Sequence, residues 1–196
     1  PALAGWLIGL NFPLIGQALI FFAVLAAISG LAGLPFSLYR TFVLERKYGF
    51  STITWKLWLA DLIKSVIISS MLMAIVVSAL MAFIRYLPQS WWFWGWAFFT
   101  VFQIVVLWLY PVIIAPLFNR FEPVRDEALR GKILALMDKA GLTTEGIYQV
   151  DEGKRSRDTN AYFTGIGKTK RIVLFDTLLS SHTQEEIVSV LAHEIG

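Results

Sequence analysis

VIISSMLMAIVVSALMAFI, residues 66–84, is a run without a single charge or glycine, and it decides what kind of protein this is. A stretch of this length and composition spans a bilayer core of roughly 30 Å as a helix. Working outward, the span extends from Leu57 to Leu87, with Asp61 and Lys64 near its start, three residues apart and so on one face. They read as an interfacial ion pair entering the membrane, or more sharply as the polar lining of a cavity. A second apolar stretch precedes this one at residues 3–34, with Pro13 a candidate kink and Gly30, Gly33 and Pro35 a candidate end. A third follows at 91–118. It opens on Trp91, Trp92, Trp94 and Trp96, which resemble an interfacial aromatic belt, and closes on Pro111 and Pro116, which suggest a bent exit.

Composition sets the same boundary. Hydrophobic residues make up 57% of the 196, yet of the acidic residues only Glu45 and Asp61 precede position 120. That divides the chain into a transmembrane region, 1–119, and a polar region, 120–196. Arg40, Arg46, Lys47 and Lys56 lie between the first two spans, only Arg85 between the next two, and Arg120, Arg125, Arg130 and Lys132 follow the third. The positive-inside rule then puts the loop 35–56 and everything after 119 in the cytoplasm. That loop is rich in aromatics (Phe36, Tyr39, Phe42, Tyr48) and breaks at Gly49, so it is expected on the membrane surface or packed on the polar region. The net charge of +3 comes with no basic stripe interleaved with aromatics, so contact with lipid is expected and nucleic acid is not. The chain has no cysteine, which excludes disulfides and a Cys-type zinc site. It begins with Pro1, shows no signal peptide, and reads as truncated at both ends.

In the polar region Glu122-Pro123 reads as the start of a helix running to about Ala140, with Ala128, Leu129, Ile133, Leu136 and Met137 inward and Gly141 past its end. Ile147–Val150 reads as a strand, 151–159 as a solvent loop, and Asn160–Thr164 with Arg171–Phe175 as a hairpin. Gly167-Lys168-Thr169 imitates the end of a phosphate-binding loop. The glycine that such a loop needs five places earlier is Tyr162, and a strand rather than a helix follows, so no nucleotide is expected.

The closing stretch SSHTQEEIVSVLAHEIG, 180–196, is a helix with its own start signal. Thr183 and Glu186 form a capping box, and Ile187, Val190, Leu191 and Ile195 recur at helical spacing. His193-Glu194 opens the pattern His-Glu-x-x-His, which on a helix sets two imidazoles one turn apart for zinc with the glutamate beside them as base. The dipeptide alone is equally a solvated helix end. His182 lies before the cap and reads as its solvent-facing neighbour.

Four stretches carry a resemblance to the Ste24-type CAAX prenyl proteases, integral-membrane zinc metallopeptidases of the M48 class. They are LERKYGFSTITWKLWLADLIKS (44–65), APLFNRFEPV (115–124), TNAYFTGIGKTKRIVLFDTLL (159–179) and LAHEIG (191–196). The HtpX-type membrane proteases share the zinc helix but not the third stretch. The resemblance implies a multi-span helical membrane protein with an incomplete α+β zincin-like domain. It implies His193 as a zinc ligand, and Glu194 as the base that deprotonates zinc-bound water and later protonates the leaving amine. Asn160 and Ala161 fall on the strand that lines the substrate, while Tyr162 reads as a core aromatic. The substrate is expected to be a peptide or membrane protein, prenylated where CAAX tails are processed. The setting is a bacterial inner membrane or a eukaryotic ER or nuclear membrane. One imidazole is not a zinc site, so this stretch by itself is expected to be metal-free and inactive. The rivals are an HtpX-like quality-control protease, a catalytically dead peptide-binding scaffold, and a transporter suggested by Asp61 and Lys64.

Overall fold

The computed structural model describes Gly5, Gly9 and residues 12–144, 146–164 and 171–195. Gly167-Lys168-Thr169, and the turn that would join the last two strands, lie outside these residues. The chain forms two compact units, Pro1–Val43 with Lys56–Val105, and Leu44–Trp55 with Val106–Gly196.

Three helices among the described residues are long and apolar enough to cross a membrane. The first, α1 (Leu14–Tyr39), passes through Gly30, Gly33 and Pro35 without ending. It continues through a π-helical turn at Arg40–Leu44 into the short α2 (Glu45–Lys47). This corrects the expected stop at residue 34: away from water a backbone has no partner for its polar groups except its own helix, so residues that break helices in water are tolerated. Gly9 is helical, Phe12 and Pro13 are not, and Pro13 is the N-cap of α1, so the expected span is interrupted at this proline. The second, α3 (Trp55–Tyr86), and the third, α4 (Trp91–Leu109), fall where hydropathy puts them. They pack on each other, with the Phe83 and Phe98 rings 6.0 Å apart and Leu80 beside Gly95. Lys64 Nζ lies 4.0 Å from Asp61 Oδ1, the ion pair their spacing suggests. After α4 the expected irregular exit is a π turn at Tyr110–Ile114 leading into α5 (Ala115–Phe118).

The second unit is built on a four-stranded sheet of order β1-β2-β4-β3. Its strands are β1 (Phe121–Pro123), β2 (Gly146–Val150), β3 (Ala161–Thr164) and β4 (Arg171–Phe175). β2 and β4 run parallel with Ile147 opposite Ile172, and β3 returns antiparallel with Ala161 opposite Leu174. Glu122-Pro123 therefore belongs to an edge strand, a place where a missing N–H is harmless. The helix α6 starts later, at Glu127–Lys139, capped by Asp126, whose carboxylate accepts from Leu129 N at 3.0 Å. Leu129, Ile133 and Met137 are buried, but Ala128 is exposed, one position outside the inward stripe. Gly141, at φ +65°, ends the helix as its left-handed residue. A short helix that sequence did not suggest, α7 (Asp176–Ser181), leads into α8 (Gln184–Ile195).

Side chains alternate across the sheet. Ile147, Ala161, Ile172 and Leu174 join Leu129, Ile133, Leu178, Ile187 and Leu191 in one core on the face covered by the helices. The end of the 35–56 stretch packs on the polar region. Phe50–Thr52 lies against the 155–157 segment of the polar region, with Thr52 N donating to Arg155 O (3.0 Å) and Arg157 N to Phe50 O (2.9 Å).

Candidate active site

The helix bearing His193 and Glu194 is anchored at its start and along one face. Glu186 Oε2 accepts from Thr183 N at 2.7 Å and from the Thr183 hydroxyl at 3.0 Å, while Glu186 N donates to Thr183 Oγ1 at 3.4 Å. These bonds hold the Glu186 carboxyl below the usual range. Gln184 donates to Asp126 Oδ2 (2.8 Å) and Lys132 pairs with Glu185 (2.5 Å), so the first turn of α8 is tied to the first turns of α6. Ile187 and Leu191, one turn apart, are sealed into the core. His193 and Glu194 come on the next turn and are exposed. His182 is half-buried before the cap, its Nδ1 2.8 Å from the Ser181 hydroxyl.

α8 packs on β3, the last strand in the sheet order. Asn160 stands exposed just before it. Its carbonyl accepts from Phe175 N (3.0 Å) and its own Oδ1 from Ala161 N (2.8 Å), which fixes the entry into the strand. Ala161 turns its methyl into the core. Tyr162 does not join that core. It faces the other side of the sheet, edge-on to Phe175 at 6.1 Å, in a narrow pocket with Tyr110, Pro111, Phe121 and Arg171. Burial, with smaller contributions from Tyr110 and Glu152, pushes its hydroxyl up to about 12, so it stays protonated at neutral pH. Arg171 lies over the Tyr148 ring, 5.2 Å from its centroid. Neither this pocket nor the strand order could be read locally, because both join residues far apart in the chain.

Among the described residues no three His, Cys, Asp or Glu side chains come together to hold an ion. His193 offers one imidazole, and a zinc site needs three or four protein ligands.

Residues 1–120 match the family described as CAAX prenyl protease N-terminal, five membrane helices, and residues 123–196 match peptidase family M48. The chain belongs to the CAAX prenyl protease family. It is 40% identical over 183 residues to CAAX prenyl protease 1 of Saccharomyces cerevisiae, covering 93% of this chain and 40% of that protein. With the human homologue it shares 37% identity over 169 residues, 86% of this chain and 36% of that one. An uncharacterised metalloprotease of Bacillus subtilis is 34% identical over 180 residues, 92% of this chain and 42% of its own. The crystal structure of S. mikatae Ste24p superposes with a TM-score of 0.90 at 38% identity, covering all of this chain and 47% of that one. The chain thus spans about two fifths of the length of these curated relatives. Its fold is that of this family: apolar spans in an integral membrane protein, followed by a small sheet with helices.

Proposed function

We propose that residues 1–119 are the membrane region, and 120–196 the first part of the catalytic domain, of a zinc metalloendopeptidase that faces the cytoplasm. The observation that carries this reading is the pairing of α8 with β3. A helix fixed at its cap and along its buried face presents His193 and Glu194 outward, and it rests on the last strand of a sheet. A strand in that position offers main-chain groups to an extended peptide, which gives affinity with little regard to sequence. Asn160 and Ala161, at the start of β3, are the proposed peptide contacts. Glu194 is the proposed proton carrier, taking a proton from the attacking water and giving it to the leaving amine. His193 is one proposed zinc ligand. The substrate class follows the similarity to CAAX prenyl protease 1: a C-terminal peptide carrying a prenyl group. The bacterial relative is named only as a metalloprotease, and the second reading we propose is turnover of unprenylated membrane-protein segments.

The test uses the full-length protein and its Glu194→Gln variant, with a prenylated peptide and an unprenylated membrane-protein segment offered side by side. Loss of the proton carrier is expected to cut cleavage by about 100-fold or more while zinc content stays the same. Equal cleavage by the two proteins overturns the reading, and the preferred peptide separates the two substrate classes.

A further inference from the structure

The loop 151–157, which the sequence presents as open to solvent, is half-buried over residues 151–156 and gathers segments from distant parts of the chain. Arg155 is its centre. One guanidinium nitrogen donates to Phe118 O at 2.7 Å and another to the Asn119 side-chain oxygen. Asn119 in turn donates to Glu152 Oε2 at 2.8 Å. Lys154 also reaches Phe118 O (3.1 Å) and pairs with Asp151 (2.7 Å). Phe118 ends α5, and the last carbonyls of a helix lack internal partners and carry partial negative charge. Two cations converge there for that reason. Glu152, half-buried in the same cluster, has its carboxyl pushed up by burial, against the opposing pull of Asn119, Arg155 and Lys154.

The backbone of the same loop is held from two further directions. Thr52 donates through its amide to Arg155 O and through its hydroxyl to Gly153 O (2.8 Å), and Gly153 N donates to Asp176 Oδ1 (2.8 Å). Five residues after Arg155 comes Asn160, whose carbonyl receives Phe175 N at the mouth of β3. Residues 155–160 are therefore a short strut with both ends fixed. One end is held by a planar guanidinium fork, whose fixed donor geometry a flexible ammonium does not reproduce.

We propose that Arg155 is a positioning residue for peptide binding: by gripping Phe118 and Asn119 it sets where the chain enters β3, and so where Asn160 and Ala161 meet the substrate. This rests on the peptidase reading above, and it requires no contact between Arg155 and the peptide.

The experiment compares full-length wild type with Arg155→Ala, Arg155→Lys and Asn119→Ala, using amide hydrogen exchange and peptide-cleavage kinetics. In Arg155→Ala, amides of 158–164 are expected to exchange about 10-fold faster while those of α6 keep their rates. KM is expected to rise about 10-fold with kcat within about 2-fold, because the loss falls on substrate binding rather than on the reacting groups. Arg155→Lys, which keeps the charge but not the planar fork, should recover part of the KM. Asn119→Ala, which removes only the neutral partner, should move both readouts the same way by less, and it serves should Arg155→Ala fail to fold. Unchanged exchange at 158–164 overturns the proposal. So does an unchanged KM, even with a fall in kcat, since that is what a smaller folded fraction produces. A wild type that cleaves neither peptide overturns the peptidase reading instead, and exchange alone then decides on Arg155.

Discussion

The helices α3 and α6 bury their side chains in opposite ways. α3 has 32 residues and buries one of them, Val77. α6 has 13 and buries three, Leu129, Ile133 and Met137, at the spacing of a single stripe. Met71 and Ile67 of α3 are 60% and 61% exposed, a degree of apolar exposure that water would penalise over so many residues. The first helix is specified by its solvent, the second by its neighbours. Lipid asks only that a segment be apolar and satisfy its own backbone, whereas a core asks that particular methyl groups meet.

Truncating a side chain in the second setting should show the largest effect. Leu174 is fully buried in β4, between strands and beneath α8. Leu174→Ala is expected to destabilise the polar unit by about 2–5 kcal/mol, the usual sum of lost transfer energy and residual cavity. Denaturant unfolding of the full-length protein in detergent, followed by a probe in that unit, measures it. A cost below about 1 kcal/mol would mean that this core is loosely packed and that the contrast with α3 is weaker than it looks.

An intermediate effect is expected where a charge, not a contact, is removed. Asp126 is exposed, and its carboxyl is held below its ordinary value by the Leu129 amide first and the Gln184 amide next. A group with a lowered folded-state pKa adds stability that is complete above the unfolded value and is lost as pH falls through the folded one. Asparagine also caps helices well, so Asp126→Asn keeps the cap while removing the titration. The fall in thermal midpoint between about pH 6 and pH 3 should then be shallower in the variant. Parallel curves would show that the carboxylate contributes nothing through its charge.

The same contrast explains which features could be read from the sequence. The second and third spans follow from composition because lipid acts on each residue separately. The first runs past its expected end, because Gly30, Gly33 and Pro35 break helices in water but not away from it, and α1 passes through all of them. In the polar unit local chemistry was enough for α8: Thr183 and Glu186 lie three apart, and their capping box is present in the structure. It misled at Glu122-Pro123, a helix-start pattern that pairs with Gln149 and Tyr148 as a strand instead. Nothing local marks residues 151–156 as half-buried, since their partners Thr52, Asn119 and Asp176 are between 23 and 101 residues away. The His193-Glu194 dipeptide is visible in the sequence, whereas the strand beneath its helix required the sheet.

The smallest effect is the sharpest check on the contrast. Met71→Ala deletes a side chain comparable in size to that of Leu174, in a helix where it stands exposed. Between lipid tails and a thioether there is no hydrophobic driving force to lose, because the tails are as apolar as the side chain and flow into the space it leaves. The change is expected to move stability by no more than about 0.5 kcal/mol, a tenth to a quarter of the Leu174 cost. The assay is the same detergent unfolding, read through a probe in the spans. If the cost instead approaches that of Leu174→Ala, Met71 faces protein in the intact molecule, and another helix covers this side of α3. The comparison would then be between two packed cores, and apolar composition alone would no longer account for the membrane half.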